Sequence, residues 1–453
     1  MAADKSKSSP RTGGISKVSI NPLPPVVQVS TTNREITAHA GAVLIRQVIR
    51  AIGLVEAVKR NLHVKKRSRG LNEGQFIASM AEAVAMGAGC LDDLAIARAD
   101  KVQKKLRGFA VPAPQTAGAF LRRFTLGHVG QFNKALRSVH RTAFQLLGEI
   151  KQLTLDFDST YIRSRSSRRQ GADATWLKRY ALHPLMCFVA EYGVCLHVKL
   201  RRGKANTSKG IVPFVDECLR RMPDGVPIRA RFDSGFHSDK LLCDLQARGV
   251  TYLCAVPVTQ RITGVIRRID EISWSDCQDD KVGQVAEFGY RLSKSKVFRR
   301  HVVKRIAKKP GEQLDLETGG YHYWILVTND HETGAAVLES EHRHKAQVEA
   351  GMRELKENFG LEVLRKHAFY ANWTWILIVV TAHNLLRWTQ LIGDLEPKGD
   401  LRAKRLRYRY LSVPAMLVCS GRRLNLKLRR DYPLLEGFLS ALAQLKALPS
   451  PAT

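Results

Sequence analysis

The sequence predicts a mixed fold, α+β with an α/β core: a helical front, a sheet-building core, a β-rich interruption, and a return to helices. Three observations predict it. Apolar residues recur at helical spacing from about residue 40 to 150. At residue 151 the period drops to two, the spacing of a strand with one polar face. Beyond residue 338 the helical period returns.

Composition bounds the answer first. The chain has 453 residues, 44% of them apolar, enough for a large core and more than one domain. Lys and Arg total 73 against 41 Asp and Glu, a formal net charge of +32. Such an excess points to a polyanion, and long nucleic acid is the usual one. An anionic membrane surface is the weaker alternative, because the charge runs through the whole chain rather than one amphipathic helix. The start, MAADKSKSSPRTGG, lacks the apolar segment of a secretory signal. The run Trp373 to Leu386 is interrupted by His383 and Asn384 and reads as a buried core helix, so no membrane span is expected. The eight cysteines form no C-x-x-C pair, which fits a reducing cytoplasm.

Residues 1–32 read as a disordered basic tail, rich in Ser, Pro, Lys and Gly. Residues 33–148 form the all-α N-terminal region. Val43, Leu44, Val48, Ile52 and Val55 mark a first helix, and runs at 73–88 and 91–107 mark two more. In the segment from Pro112 to Phe124, Thr116 is the expected N-cap, Phe120 and Phe124 face inward, and Arg122 and Arg123 face outward. It fits a helix-turn-helix unit for DNA binding and equally a surface helix of an all-α bundle.

From 149 to 259 the core begins. Leu153, Leu155 and Phe157 alternate with Thr154, Asp156 and Asp158. Strands follow at 184–191 and 194–200 around the turn Glu191-Tyr-Gly193, then a helix near 207–222, a strand at 226–233, a helix at 238–248 and a strand at 251–258. Three strands followed by α-β-α-β is the order of a ribonuclease H-like catalytic core. Residues 260–338 read as a β-rich insertion, residues 339–395 as the helical second part of the core, with helices at 339–358 and 372–392, and residues 396–453 as a basic C-terminal region.

Three acidic residues carry the chemistry. Asp158 and Asp233 end strands, and Glu349 lies on the late helix. Phosphodiester cleavage uses an activated nucleophile and charge relief on the leaving oxygen, and two Mg²⁺ ions about 4 Å apart do both. Mg²⁺ takes hard oxygen ligands, hence carboxylates. Each residue also has a plainer reading: Asp158 before Ser-Thr and Asp233 before Ser-Gly suit turns, and Glu349 can pair with Arg353 at i+4. Asp156, two residues from Asp158 on the same strand face, is an alternative first ligand. On the late helix Val348, Met352, Leu355 and Phe359 form an inward stripe. Glu349 and Lys356 share one line beside it, His342 and Lys345 extend that line backwards, and Glu354 lies off it. His342 and His344 point to different sides, which argues against a His-based metal site. Trp274 and Trp324 suit either packing or stacking on a flipped base. Basic stretches at 59–69, 163–169, 294–309 and 402–409 suit phosphate, above all Arg163, Arg165, Arg168 and Arg169 just after the first strand.

These motifs together resemble DDE-type insertion-sequence transposases of the cut-and-paste group with a Tyr-x2-Arg-x3-Glu-x6-Lys signature, the insertion-sequence family 1380 type. The resemblance runs through Leu155-Asp-Phe-Asp158-Ser-Thr, the loop Arg202-Gly-Lys-Ala-Asn206, Arg231-Phe-Asp233-Ser-Gly-Phe236, Glu349 through Gly360, and His383-Asn-Leu-Leu-Arg-Trp388. It implies Asp158, Asp233 and Glu349 as catalytic metal ligands for two Mg²⁺ ions, with Mn²⁺ as a substitute. It implies DNA contacts from Lys356, Lys345, His342 and Arg353, transposon ends and target DNA as partners, a homodimer at paired ends, and a bacterial, nucleoid-associated protein. The signature Tyr and Arg fall on His342 and Lys345; only Glu349 and Lys356 match. Two other readings stay open: a sequence-specific DNA-binding protein with an inactive nuclease core, and a structure-selective nuclease of the same fold.

Overall fold

The computed structural model describes residues 29–449 except Ser68, 176–177, 280–281, 292–294, Lys296, 314–317, Gly319, 364–366, 397–401 and Arg422. Most of the predicted basic tail therefore lies outside the described residues. The front comprises β1 (Ile36–Thr37), α1 (Ala42–Ala51), α2 (Leu54–Asn61), α3 (Glu73–Ala85), α4 (Leu94–Ala99), α5 (Lys101–Arg107), α6 (Pro114–Arg122) and α7 (Leu126–Leu146).

The front departs from the sequence reading in four ways, one of them a break at Gly53 (φ 63°) that splits the expected first helix into α1 and α2. The front also contains the strand β1, whose partner is a C-terminal strand. The helix expected at 91–107 breaks at Asp100, whose carboxylate accepts from Gln103 N–H and starts α5 afresh. And α6 starts at Pro114, not after Thr116, because proline's fixed φ and missing N–H suit the first helical position. Phe120 and Phe124 are buried, and Arg122 and Arg123 are exposed.

The core supplies β2 (Leu153–Ser159), β3 (Ile162–Arg163), β4 (Asp173–Ala174), β5 (Tyr180–Leu182), β6 (Leu185–Val189), β7 (Val194–Lys199), α8 (Ile211–Leu219), β8 (Ile228–Phe232), α9 (Asp239–Ala247) and β9 (Thr251–Val256). Next come α10 (Gln260–Ile266), β10 (Ser275–Asp276), β11 (Gly283–Tyr290), β12 (Arg299–Ala307) and β13 (Tyr321–Thr328). The helices α11 (Ala335–Arg343), α12 (Ala346–Asn358) and α13 (Phe369–Ile392) follow. The C-terminal region holds α14 (Ala403–Leu406), a π-helical turn at Arg407–Leu411, β14 (Ala415–Ser420), β15 (Arg423–Leu428) and α15 (Leu435–Ala447).

Nine strands form one mixed sheet in the order β10-β11-β12-β13-β9-β8-β2-β6-β7. β2, β8 and β9 are mutually parallel, and the other neighbours are antiparallel. The strands of the 260–338 segment thus extend the core sheet through β13 against β9, which covers an edge that would otherwise expose unpaired backbone groups. β3, β5 and β4 make a small sheet beside β2, and β1, β14 and β15 make another.

The sheet has two apolar faces. Leu153, Leu155 and Phe157 of β2 pack with Phe214 of α8 and Leu242 of α9, and the rings of Phe157 and Phe232 stack at 4.6 Å. On the other face Met186, Phe188 and Val198 join α12, α13 and the front helices. α13 is buried on nearly all sides, because β7 covers one side and α1, α3, α6 and α7 cover the rest. That is why its sequence is apolar without a stripe. Among the described residues no helix is long and apolar enough to cross a membrane.

Buried polar groups pin the front. Glu82 of α3 accepts from Arg46 of α1 and Arg107 of α5, each at 2.7 Å. Burial pushes the Glu82 carboxyl up, but the two guanidinium groups outweigh it and hold it down to about 2. A carboxyl depressed from 4.5 stabilises the fold above its unfolded pKa and loses that contribution as pH falls from about 4.5 through about 2. Glu82→Gln should therefore cost about 3 kcal/mol at pH 7. Its gap to the wild type should shrink in denaturant titrations at pH 4 and pH 3; a gap independent of pH would contradict the charged arrangement.

Candidate active site

The site grows out of the pairing of β2 with β8. The register sets Asp156 beside Arg231 and Phe157 beside Phe232. Asp158 and Asp233, the next residue on each chain, therefore lie together at the carboxyl edge of two adjacent parallel strands, where open α/β sheets place their crevices. The alternation along each strand sends the two phenylalanines to one face. It leaves Asp156, Arg231 and the two terminal aspartates to the other.

Arg231 organises that face. Its guanidinium donates to both Asp156 oxygens, at 2.6 and 2.7 Å. It also donates to the Glu341 carbonyl at the end of α11. Arg229 reaches the Glu341 carboxylate and, at 2.7 Å, Asp330. Helix α11 is thereby tied to the middle of the sheet. Asp156 is fully buried; burial pushes its carboxyl up and Arg231 pulls it back.

The helix expected at 339–358 is broken: α11 ends at Arg343, and α12 starts at Ala346 after the turn His344-Lys345. His342 and Lys345 therefore do not share one helix line with Glu349. The turn instead aims Lys345 at the sheet edge, where its ammonium lies 2.6 Å from Asp233 Oδ1. Glu349 falls in the first turn of α12, exposed, at the end of a helix that favours negative charge. Gly351 lets α12 lie close on the sheet, since a Cβ there would come within 2.9 Å of the Phe188 ring.

These groups share one electrostatic environment. Burial pushes the Asp158 carboxyl up to about 6, the charges of Asp233 and Glu349 add to the rise, and Lys345 and the Ser159 N–H oppose it. The arrangement thus brings Asp158, Asp233, Glu349 and Lys345 together. Among the described residues, no three His, Cys, Asp or Glu side chains already converge on one point as a metal cage.

The other predicted residues fall elsewhere. His342 is turned inward: its Nε2 lies 3.2 Å from the Phe232 carbonyl, and burial pushes its imidazole down to about 4. Lys356 lies two turns past Glu349 and faces Glu362 at 3.6 Å, while Arg353 is exposed. Arg163 of β3 is exposed, as are Arg165 and Arg168 in the loop between β3 and β4, and Arg169 donates to Ser164 at 3.0 Å. Arg122 and Arg123 close α6, which packs on α13 in the front. Glu354 is buried, bound to His383 at 3.3 Å and to the Ala403 N–H at 2.5 Å, which ties α12 to α13 and α14. Trp274 is buried under Arg305 at 4.0 Å, and Trp324 is half exposed.

Arg231 is the organising residue of this face that the sequence reading passed over, and a signal for it existed. Asp156-Phe-Asp158 and Arg231-Phe-Asp233 have the same form. Laid side by side in parallel, they pair acid with base two residues before each terminal aspartate. Also unforeseen is His183, whose Nε2 lies 3.0 Å from the Ser159 hydroxyl and whose ring stacks on Tyr161 at 4.2 Å. Removing one partner of a buried ion pair leaves an uncompensated charge. Arg231→Met should cost roughly 3–5 kcal/mol in denaturant unfolding, and the double variant with Asp156→Leu should recover part of the loss. A single variant with wild-type stability would contradict the clamp.

The sequence matches the family model described as transposase DDE domain group 1 over residues 23–450. Among solved structures it is similar to piggyBac transposase, determined as a synaptic complex with hairpin DNA. Identity is 13%, the TM-score is 0.41, and the match covers 84% of this chain and 82% of that one. No curated protein matches it. With the family match spanning nearly its whole length, this chain belongs to the transposase DDE domain family, group 1.

Proposed function

We propose that the protein is a DNA transposase that binds the terminal inverted repeats of an insertion sequence and carries out metal-dependent strand cleavage and strand transfer. The observation that carries this reading is the meeting of Asp158 and Asp233 at the edge of adjacent parallel strands, with Glu349 adding its charge from α12. The strand order β7-β6-β2-β8-β9, parallel through its last three members, supports a ribonuclease H-like core.

The three carboxylates offer hard oxygens, and burial together with like charge makes the Asp158 carboxylate costly without a cation nearby. That donor set fits Mg²⁺ or Mn²⁺, with Asp158, Asp233 and Glu349 as the holding residues. Two such ions, when bound, supply an activated nucleophile and relief of charge on the leaving oxygen. The chain's own residues do the rest. β2 and β8 fix the separation of the aspartates, and α12 presents Glu349 from outside the sheet. Exposed Arg163, Arg165, Arg168 and Arg353, with Arg169 and Lys356 beside them, supply positive charge for the DNA backbone. Arg122 and Arg123 would meet DNA in the helical front. A dimer on paired transposon ends and a place on the bacterial nucleoid belong to the same reading.

Asp156 fits less well as the first ligand, since both its oxygens are engaged by Arg231. Glu349 and Lys356 stand where the Tyr-Arg-Glu-Lys signature of the insertion-sequence family 1380 type has its last two members, and His342 and Lys345 replace the first two. Both replacements are engaged inside the protein. That observation favours one second reading, a DNA-binding protein with an inactive core, which metal-dependent cutting of a terminal-repeat substrate would exclude.

On the first reading, Asp233→Asn and Glu349→Gln abolish cleavage of a terminal-repeat duplex while retaining its binding in gel shift. Asp158→Asn behaves the same way, whereas Asp156→Asn chiefly lowers thermal stability. Full cleavage by any of the first three variants would remove that residue from the site.

A further inference from the structure

Lys345 is nearly enclosed, with its side chain 8% exposed, and its ammonium rests on Asp233 at 2.6 Å. Burying an ammonium is costly, and a carboxylate in contact offsets its lost hydration. The backbone leaves it little choice of place. Lys345 N–H donates to the His342 carbonyl at 3.1 Å, and Val348 N–H donates to the Lys345 carbonyl at 3.0 Å. His342 in turn lies against the carbonyl of Phe232, the residue before Asp233. The α11–α12 turn is thus docked on the end of β8, and Lys345 is its inward-facing residue.

The neighbours of this ammonium are mostly acidic. Asp158, Asp233 and Glu349 carry like charges close enough to act on one another, and Lys345 acts on the same group from the opposite sign. Arg231, another buried cation on this face, is taken up by Asp156 and the Glu341 carbonyl. Lysine presents a compact ammonium that can leave one oxygen for another, unlike the fixed fork of arginine.

We propose that Lys345 is the built-in counter-ion of the Asp158–Asp233 edge: it holds the edge together before divalent metal arrives, and metal must compete with it for Asp233. This rests on the reading of Asp158, Asp233 and Glu349 as metal ligands. Metal loading and release of Lys345 from Asp233 are then one coupled event, which makes the α11–α12 turn a sensor of the state of the site.

Titration of Mn²⁺ alone into the full-length protein by calorimetry, without DNA, tests the idea. Lys345→Met should bind Mn²⁺ roughly tenfold tighter than the wild type, the fold-change that one lost charged contact implies. Lys345→Arg, which keeps the charge, should bind more weakly than Lys345→Met. In parallel melts, Mn²⁺ should raise the midpoint of Lys345→Met more than that of the wild type. Lys345→Gln takes the place of Lys345→Met if the latter does not unfold cooperatively. Equal or weaker Mn²⁺ binding by the neutral variant overturns the counter-ion role, provided Asp233→Asn abolishes binding. Wild-type binding that Asp233→Asn leaves unchanged overturns the metal-ligand reading itself, and the counter-ion role with it.

Discussion

The buried pair between Asp156 and Arg231 is the contact on which the acidic edge depends. It joins β2 to β8 across the parallel register, and the same guanidinium reaches over to the end of α11. One side chain therefore holds three elements that are distant in sequence. A buried pair of this kind adds little net stability over a well-packed apolar pair, but it specifies which groups meet. Here it specifies that Asp158 and Asp233 end level with each other and that the α11–α12 turn descends on them.

The second support is α13. A helix buried on nearly all sides has little solvent face to absorb polar groups, so each of its buried polar residues needs a partner. Asn384 brackets the Cys195 backbone of β7, accepting from its N–H at 3.0 Å and donating to its carbonyl at 2.7 Å. His383 meets Glu354 of α12. Burial raises the Glu354 carboxyl, yet His383 and the Ala403 N–H outweigh it and hold it down to about 2. The helix that carries Glu349 is thereby referred to the sheet on one side and to the C-terminal region on the other. Strong charge is handled locally: a chain of net charge +32 keeps a small acidic edge and sets Lys345 against it.

Much of the core was legible in the sequence because its strands obey simple periodicity. The alternation Leu153-Leu155-Phe157 against Thr154-Asp156-Asp158 located β2, and the runs at 226–233 and 251–258 located β8 and β9. The inward stripe Val348, Met352, Leu355 and Phe359 is buried as its spacing requires. The break at His344-Lys345 was not legible, since no Gly or Pro marks it. It follows from docking: Arg229 and Arg231 hold the end of α11 on the sheet. The start of α5 turned on the Asp100 cap and that of α6 on Pro114 at its first position, local signals that the longer apolar period hides.

By itself, then, the sequence determined the core strands β2, β8 and β9, the apolar stripe of α12, the strong positive charge and the acidic residues worth suspecting. These depend on side-chain type and short-range spacing, and both are written in the chain. Only the tertiary structure decided which carboxylate is clamped by a buried guanidinium and which stands at the sheet edge. Asp156 and Asp158 are two residues apart with the same chemistry, but strand pairing places one beside Arg231 in the interior and the other at the edge. It likewise decided that Lys345 turns inward to Asp233, and that β10 to β13 continue the core sheet. Such outcomes depend on which distant segments meet, and no local period records that.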